Sequence, residues 1–403
     1  MSVEKAIDTC IQCGFCLQSC PTYRLFRREE SSPRGRIARL KDILQGDVEP
    51  SYANLQTFEE CLGCRACETA CPSGVPYEEI LLEGRARLRA AAPPQAASAR
   101  AALRVLRSDV LLRAAKSAWR RRGRDAVRWA RRRRSHSSAL RLLAALPEPA
   151  SAPALERRPG AQVQVHQGCV MDIVWPETNA KAVLLLRRAG IAADLLPAST
   201  GCCGALHAHQ GDLPAAREMA RRVIAAFEAS GGEVLVSLAG GCAAHLASYG
   251  RLLEDDPLWA ERALAMSRRV EDISRLLLGQ GYRPAPPGPG ERVTYQDSCH
   301  LRHGLGVQRE PRELLAGEGY RPLGGDGACC GSAGIYNLLR PDVSDRLLAA
   351  KVAEIRQTGA ETVVTGNPGC ALQLRLGARE SGDAYAVRHL VDWLYERPGE
   401  TQD

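Results

Sequence analysis

The feature that most constrains this chain of 403 residues is a cysteine pattern that occurs twice near its N-terminus. The spacing C-x2-C-x2-C-x3-C-P is formed first by Cys10, Cys13, Cys16, Cys20 and Pro21, and again by Cys61, Cys64, Cys67, Cys71 and Pro72. Three thiolates at this spacing wrap one iron-sulfur cube, and the fourth cysteine of each run ligates the other cube. The pattern therefore predicts two 4Fe-4S clusters. Cluster 1 is expected to be held by Cys10, Cys13, Cys16 and Cys71, and cluster 2 by Cys61, Cys64, Cys67 and Cys20.

Two zinc sites are the alternative interpretation of these eight cysteines. Tetrahedral zinc is usually bound by two separated cysteine pairs, and it would leave surplus thiols here. The spacing therefore favours iron-sulfur clusters. Gly14, Gly63 and Gly74 lie in or just after the two runs, where we expect them to allow tight wrapping and backbone N–H contacts to sulfur.

The other eight cysteines reveal an internal duplication. They are Cys169, Cys202, Cys203 and Cys242, followed by Cys299, Cys329, Cys330 and Cys370. Matching members of the two sets are 130, 127, 127 and 128 residues apart, and each set contains an adjacent Cys-Cys-Gly. A unit of this length therefore occurs twice in the chain.

Hydrophobic periodicity predicts the same order of elements in both copies. In the first copy we expect strands at 162–165, 192–196 and 233–236 and helices at 177–189 and 213–230; in the second, strands at 292–296 and 361–364 and a helix at 342–358. Strands that alternate with helices indicate parallel sheets, with the cysteines in the loops that follow the strands. The predicted fold class is α+β multidomain: an N-terminal α-helical two-cluster ferredoxin domain followed by two homologous α/β cysteine-rich domains.

The segment between the cysteine runs and the duplicated units has a different composition. Ala, Arg and Leu dominate it, Pro93 and Pro94 lie near its start, and prolines recur at its end. We therefore predict four parts, with boundaries at 1–88 for the ferredoxin-type domain, 89–159 for a basic helical bridge, 160–281 for the first Cys-Cys-Gly domain and 282–403 for the second.

The bridge carries the positive charge of the chain. The whole sequence has a net charge of +8, but residues 101–145 alone contain fourteen Lys or Arg and two Asp. Helical spacing is expected to align a stripe of apolar side chains, at Leu103, Leu106, Val110, Ala114 and Trp119, against an arginine-rich face that includes 131–134. This face is interpreted as a solvated surface or as a contact for anionic lipid, an acidic partner or nucleic acid. Trp119 and Trp129 favour membrane or protein, and no nucleic-acid fold supports the last reading.

The Cys-Cys-Gly sets admit three interpretations: a further metal cluster, a redox dithiol or packing in the core. Histidines accompany them, namely His166, His207, His209, His300 and His303, each of which is either a hydrogen-bonded loop residue or a ligand or proton donor. His245 and His389 lie in stretches expected to be helical and are assigned no role.

Several motifs of self-sufficient enzymes are missing from the sequence. It contains no G-x-G-x-x-G after a strand, no phosphate-binding G-x-x-x-x-G-K-[ST] and no G-x-S-x-G elbow, so we predict no nicotinamide, flavin or nucleotide site in this chain. Neither an export signal nor an apolar run of about 18 residues occurs. A cytoplasmic location is therefore expected, where clustered thiols serve as metal ligands or redox groups more often than as disulfides.

The N-terminal segments resemble a known family. The stretch from Cys10 to Tyr23, the segment Ser32-Pro-Arg-Gly-Arg-Ile37 and the stretch from Cys61 to Val75 are similar to the iron-sulfur subunit of bacterial glycolate oxidase (glycolate dehydrogenase). The Cys-Cys-Gly repeats extend this resemblance over most of the chain. They are shared with heterodisulfide reductase subunits and with the iron-sulfur subunit of anaerobic glycerol-3-phosphate dehydrogenase, which remain alternatives.

The resemblance implies an electron-transfer subunit without a complete active site of its own. A separate FAD-containing subunit would oxidise glycolate or D-lactate, and this chain would pass the electrons towards membrane quinone from a peripheral position on the cytoplasmic face of the inner membrane. In heterodisulfide reductase-type repeats the last cysteine belongs to a C-x-x-C pair. Ala239 and Asn367 stand at the earlier positions here, which argues against a five-cysteine cluster.

Two other functions compete with this prediction. In the first, the Cys-Cys-Gly domains reduce a disulfide at a catalytic cluster that the ferredoxin domain supplies with electrons. In the second, the clusters are structural and the basic bridge binds nucleic acid or lipid.

Overall fold

The computed structural model describes residues 3–91, 97–133, 135–324 and 329–401. Pro93, Pro94 and Arg134, which the sequence places in the bridge, lie outside these ranges. Within the described residues, no helix combines the length and the apolar composition that a membrane span requires. All sixteen cysteines are described, and all are free thiols.

Short helices around the two cysteine runs form the N-terminal helical unit. They are α1 (Val3–Asp8), α2 (Cys16–Ser19), α3 (Pro21–Phe26), a 3-10 turn (Glu29–Ser31), α4 (Pro33–Gln45), α5 (Tyr52–Glu59), α6 (Ala66–Thr69) and α7 (Tyr77–Arg89). Helix α4 begins where the Ser32 hydroxyl accepts a hydrogen bond from the Gly35 N–H, and it ends at Gly46 in the left-handed region. Leu40, Phe58 and Ile80 are completely buried where α4, α5 and α7 pack together. This core fixes the loops that carry the cysteines.

The bridge consists of α8 (Ala97–Arg107), α9 (Asp109–Arg131) and α10 (Ser138–Ala145). The predicted helical structure is present. The predicted apolar stripe is correct in α8, where Leu103 is buried, but wrong in α9, where Val110 is 66% exposed. Ser108 accepts a hydrogen bond from the Leu111 N–H and starts a new helix, which rotates the following residues out of the register of α8. The buried positions of α9 are instead Leu112, Gly123, Val127 and Ala130.

The first repeat alternates strands with helices as predicted. Its elements are β1 (Val163–His166), α11 (Cys169–Val174), α12 (Pro176–Arg188), β2 (Ala193–Leu195), a 3-10 turn (Ala198–Thr200), α13 (Ala205–Ala208), α14 (Leu213–Ser230), β3 (Val234–Ser237), α15 (Gly240–Ala247), α16 (Tyr249–Leu252), α17 (Ala260–Ser267), β4 (Val270–Glu271) and α18 (Ile273–Gly279). The four strands form a parallel sheet in the order β2-β1-β3-β4. The carboxyl ends of β1 and β3 therefore lie side by side and lead into Cys169 and Cys242.

The second repeat has the same topology. Its elements are β5 (Tyr282–Pro284), β6 (Val293–Tyr295), a π-helical turn (His300–Gly304), α19 (Glu310–Leu314), α20 (Tyr336–Leu339), α21 (Pro341–Thr358), β7 (Thr362–Thr365), α22 (Pro368–Ser381), β8 (Ala386–His389), α23 (Leu390–Tyr395) and β9 (Gly399–Thr401). The parallel sheet runs β6-β7-β8, and a single parallel bridge from Val293 to Tyr320 takes the place of β2. His389 ends a strand and is not helical as expected; its Nδ1 caps α23 by accepting from the Val391 N–H.

The two repeats share one hydrophobic core. Trp175 and Leu186 of the first repeat belong to the same buried cluster as Val364 and Trp393 of the second. Helices α12 and α23 pack against each other, and Asp392 receives hydrogen bonds from Thr178 and Lys181 at the edge of this contact. The loops that follow the strands of both sheets are thereby held at one junction.

Candidate functional site

The first N-terminal thiol group consists of Cys10, Cys13, Cys16 and Cys71, which line one pocket. Cys13 is exposed and the other three are half-buried. Burial is the main reason that the pKa of Cys16 is raised to about 11, and the charges of Cys10 and Cys20 add to it. The last cysteine of the second run therefore lies with the first three cysteines of the first run.

The second N-terminal thiol group consists of Cys20, Cys61, Cys64 and Cys67, all of them buried. Burial raises the pKa of Cys67 well above its ordinary value, and the other three members raise it further by their charge. Cys67 also reaches the pocket of the first group, so the two groups are adjacent. Cys71 of the second run thus lies with the first run, and Cys20 of the first run lies near Cys64 and Cys67, as crossed ligand sets require.

Unusual backbone angles shape both cysteine loops in the same way. Gln12 and Gly14 flank Cys13, with φ of 56° and 86°. Gly63 and Arg65 flank the equivalent Cys64 in the second run, with φ of 63° and 62°. Left-handed residues turn the chain tightly, and one of each pair is a glycine, which adopts this conformation without strain. The Gly63 N–H consequently points at the Cys61 Sγ, 3.4 Å away.

Two buried arginines lie beside the second group. Arg36 is fully buried and donates to the carbonyl oxygens of Thr57 and Ser31, at 2.6 and 2.9 Å. Burial alone lowers the pKa of Arg36, but charge at Tyr77, Cys61 and Cys20 outweighs burial, and the pKa is raised.

Arg85 is the second of these arginines. It donates to the carbonyl oxygens of Phe58 and Cys61, at 2.8 and 2.6 Å, and to that of His209 in the first repeat, at 2.8 Å. Because buried charges are stable only when they are compensated, two guanidinium ions here suit a ligand set that becomes negatively charged.

The first-repeat quartet comprises Cys169 at the start of α11, Cys202 and Cys203 in the loop before α13, and Cys242 in α15. Contact with Cys202 and burial together raise the pKa of Cys169 well above its ordinary value. Contacts with Cys202 and Cys242 raise the pKa of Cys203 in the same way. Neighbouring thiols therefore interact in series, Cys169 with Cys202, Cys202 with Cys203 and Cys203 with Cys242.

The second-repeat quartet comprises Cys299, Cys329, Cys330 and Cys370. Contact with Cys329 and burial raise the pKa of Cys299 well above its ordinary value, and Cys330 contacts both Cys329 and Cys370. The Asn367 side chain donates to the Cys370 Sγ from 3.3 Å, so an amide contacts the thiol at the start of α22.

Backbone geometry explains why a glycine follows each pair of adjacent cysteines. Gly204 and Gly331 both have φ of 89°, and their N–H groups donate to the Sγ of Cys202 and Cys329, at 3.5 and 3.4 Å. A Cβ on Gly331 would lie 2.6 Å from the Ser344 carbonyl oxygen, and one on Gly204 would lie 3.1 Å from that of Ala216. Only glycine fits this turn in both repeats.

All eight cysteines of the two quartets line a single cavity of about 410 Å³, the repeat cavity. Leu142, Leu143 and Leu146, from α10 and the residue after it, close one side of it with apolar side chains. Val170 and Leu338 also line it and are 38% and 41% exposed. Four thiols in each quartet are enough to hold a metal centre, and the cavity is open to an apolar surface.

The second N-terminal thiol group faces the second-repeat quartet. Burial raises the pKa of Cys64 well above its ordinary value, and the largest contribution from a neighbouring charge comes from Cys299. Leu62 packs with Cys329 and Tyr336, and the Tyr336 hydroxyl donates to the Glu60 carbonyl oxygen at 2.9 Å. The first group, the second group and the quartets therefore follow one another from an exposed face into the molecule.

The histidines separate into two kinds. His207 is a satisfied loop residue, since Nδ1 pairs with Asp212 at 2.8 Å and Nε2 lies 3.0 Å from the Leu103 carbonyl oxygen. His209 and His300 instead stack at the junction of the repeats, with ring centroids 5.7 Å apart. His245, which the sequence left without a role, lies edge-on to His209 at 6.5 Å.

Two further histidines accompany the cysteines. His166 is buried, and burial lowers its pKa, whereas the charge of Cys202 and a backbone hydrogen bond at Gly201 act to raise it. The His303 Nδ1 lies 2.8 Å from the Thr69 hydroxyl of the N-terminal helical unit.

Sequence reasoning missed three charged residues at this site: Arg36, Arg85 and Glu78. Arg36 lies in the Ser32–Ile37 segment that carries the resemblance, which was a signal for it. No local pattern distinguishes Arg85 or Glu78, because their partners His209 and Ser248 lie in the first repeat.

The donor set of both N-terminal groups fits iron-sulfur clusters. Each group offers four thiols, no disulfide competes for them, and backbone or hydroxyl groups already donate to sulfur, as at Gly63 and Tyr77.

Comparison with known protein families agrees with this arrangement. Residues 6–75 match the 4Fe-4S dicluster domain family, and residues 163–247 and 293–375 both match the cysteine-rich domain family.

Two relatives that match almost the whole chain are named as iron-sulfur subunits, and a shorter relative matches part of it. The probable glycolate oxidase iron-sulfur subunit of Bacillus subtilis is 38% identical, over 98% of this chain and 95% of that protein. The glycolate oxidase iron-sulfur subunit of Escherichia coli is 31% identical, over 97% and 94%. Lactate utilization protein A of Bacillus subtilis is 28% identical, over 59% of this chain and all of that protein.

Proposed function

Because the chain belongs to the family of glycolate oxidase iron-sulfur subunits, we propose that it is the electron-transfer subunit of a complex that oxidises glycolate or D-lactate. The observation that carries this proposal is the grouping of the eight N-terminal cysteines into two adjacent sets of four thiols. We assign the first N-terminal thiol group to one 4Fe-4S cluster and the second to the other. Such clusters, when bound, supply reversible transfer of single electrons.

The residues around the two groups give them different environments. Cys13 exposes the first group to the surface, whereas Cys64 and Cys67 are enclosed by protein. Arg36 and Arg85 place two positive charges beside the second group. Positive charge favours the reduced form of a cluster, so these residues would direct electrons inward from the exposed group.

The exposed face of the first group is the proposed docking site for the FAD-containing subunit. Ile11 and Phe15 flank Cys13 and are 68% and 67% exposed. Exposed large apolar side chains beside a redox centre suit a partner surface, since they exclude water and bring the two centres close together.

We place the exit of the electrons at the repeat cavity. Cys64 adjoins Cys299, and the cavity opens beside the exposed Val170 and Leu338, which suit an apolar acceptor such as membrane quinone. The bridge flanks this side through α10, and its arginines would hold the complex against anionic lipid from the cytoplasmic side.

The two quartets also support a second candidate function, the reduction of a disulfide substrate in the repeat cavity. Two electrons from the N-terminal clusters and two protons would convert the substrate disulfide into two thiols. The thiols that line the cavity favour this alternative. It is distinguished by turnover of a disulfide with a chemical reductant such as dithionite as the electron source and no flavin subunit.

The experiment that tests the proposal follows visible absorbance after anaerobic mixing of the chain with its flavin subunit and glycolate. We expect bleaching of the clusters that requires both additions, and no bleaching with glycolate alone. Cys13→Ala should stop electron delivery to quinone but leave dye-linked glycolate oxidation by the flavin subunit intact. Loss of both activities in that variant, or no bleaching of the native chain, would contradict the relay.

A further inference from the structure

A group of side chains that could bind a metal lies where the N-terminal helical unit meets both repeats, and the proposed function does not use it. Glu78 comes from the first turn of α7 in the N-terminal helical unit, His209 from the end of α13 in the first repeat, and His300 from the π-helical turn of the second. One ligand atom from each lies within 4.8 Å of the other two. No residue of either N-terminal thiol group or quartet belongs to this set.

The His300 imidazole has a ring nitrogen that the described residues leave without a partner. The His300 side chain is buried, its Nδ1 faces the Cys299 Sγ at 3.6 Å, and its Nε2 has no hydrogen-bond partner among the described residues. An unpartnered buried nitrogen costs free energy unless something occupies it. Burial holds the pKa of His209 well below its ordinary value, so this ring is neutral, which is the form that binds metal.

Glu78 is oriented as a ligating carboxylate usually is. Arg65 donates to its Oε2 at 2.9 Å, and the Ser248 hydroxyl approaches the same oxygen at 3.4 Å, so Oε1 remains for a metal ion. Arg65 also pairs with Glu68 at 2.8 Å. Two carboxylates therefore share this one guanidinium, so Arg65 does not fully neutralise Glu78.

We propose that Glu78, His209 and His300 bind one Zn²⁺ ion that joins the N-terminal helical unit to both repeats. Two imidazoles and one carboxylate form a donor set that zinc accepts readily, with three protein ligands and one further position. His245 lies next to this position with both ring nitrogens unpartnered in the described part of the chain. The ion would fix the contact between Cys64 and Cys299, and the inference does not depend on the identity of the oxidised substrate.

The test is metal analysis of the anaerobically purified full chain, followed by dialysis against Zn²⁺ and X-ray absorption at the zinc edge. We expect about one zinc per chain in a shell of nitrogen and oxygen only, because zinc that had replaced iron at cysteines would show sulfur neighbours. Glu78→Gln and His209→Asn should each lose the zinc but keep the iron. His136→Asn, at an exposed position in the bridge, is the matched control and should keep both.

Thermal unfolding gives a readout that does not depend on the spectrum. Added Zn²⁺ should raise the unfolding temperature of the native chain and of His136→Asn, and it should leave that of Glu78→Gln unchanged, because a ligand stabilises only the state that binds it. Zinc with sulfur neighbours, zinc retained by both ligand variants, or no zinc after dialysis would each overturn the proposal. None of these results would alter the glycolate-dependent bleaching, so the two proposals fail separately.

Discussion

At the level of single residues, the turn after each cysteine pair is the most tightly defined feature of the repeats. Gly331 and Gly359 both have left-handed backbone angles. A Cβ added to Gly331 would lie against the Ser344 carbonyl oxygen, whereas one added to Gly359 would meet no described atom within 4 Å. The two glycines therefore separate the cost of the backbone angle from the cost of the close approach.

We predict that Gly331→Ala destabilises the chain far more than Gly359→Ala. The angle alone costs about 1–2 kcal/mol, and forcing a methyl group against backbone adds about 1–3 kcal/mol. Denaturant unfolding of the two variants measures both terms. Equal losses of stability would show that the approach to Ser344 is unimportant.

The buried arginines lead to a second prediction at this scale. Arg36→Met removes a positive charge beside Cys20 and Cys61. The reduction potential of one cluster should therefore fall by on the order of a hundred millivolts, since a unit charge a few ångströms away is worth a few kcal/mol at an effective dielectric constant of about 20. Arg39→Met, on the same helix but partly exposed, should leave both potentials unchanged. A potentiometric titration followed by paramagnetic resonance checks this, with iron content as the test of folding. Identical potentials in the two variants would refute the tuning role.

At the level of elements, the bridge divides its arginines between two tasks. Arg131 donates to the carbonyl oxygens of Ala144 and Leu146, at 3.1 Å each, and Arg141 pairs with Asp345 and Glu380 of the second repeat. These arginines hold α9 and α10 in place. Removing 131–134 would therefore disturb the fold as well as the surface.

The proposed contact with anionic lipid would be made by exposed arginines that pair with no described carboxylate, such as Arg121, Arg122 and Arg132. Changing all three to Glu should abolish co-sedimentation with vesicles that contain anionic lipid, whereas changing all three to Lys should preserve it, because the attraction depends on charge. Sedimentation that is the same for both triple variants would exclude a lipid-binding face at these positions.

Sequence periodicity predicted most helices and strands of the repeats, but it did not predict which residues of the bridge are buried. The helix expected at 213–230 is α14, and the strand expected at 233–236 is β3 shifted by one residue, because apolar spacing directly reflects burial on a regular element. The stripe on the bridge was misplaced because the single capping residue Ser108 resets the helical register. A local cap outweighs periodicity whenever the flanking helices pack on different surfaces.

At the level of the whole molecule, function depends on contacts between parts that are distant in sequence. The spacing of the N-terminal cysteines predicts two groups of ligands, because the pattern encodes the loop geometry. The shared repeat cavity, the proximity of Cys64 to Cys299 and the Glu78–His209–His300 junction were not predictable, since each arises from docking of parts that are distant in sequence.

Docking also shields the second N-terminal thiol group, which gives a further prediction. Leu62 is buried against Tyr336 and Cys329, so Leu62→Ala should cost about 2–5 kcal/mol and speed the removal of iron by a chelator. Leu338→Ala, at a leucine that is 41% exposed, is the control and should not change that rate. Iron loss at the native rate in both variants would mean that the second repeat does not protect this group.

The central claim is that two adjacent, crossed sets of four thiols hold two clusters that transfer single electrons. The most direct measurement is iron and sulfide analysis of the anaerobically purified chain, combined with a redox titration followed by low-temperature paramagnetic resonance. The account predicts about eight irons and eight sulfides per chain, or more if the quartets also bind a cluster. It also predicts two one-electron reductions, with paramagnetic signals that interact when both clusters are reduced. A colourless protein with zinc at its N-terminal cysteines, or one isolated paramagnetic centre, would contradict it.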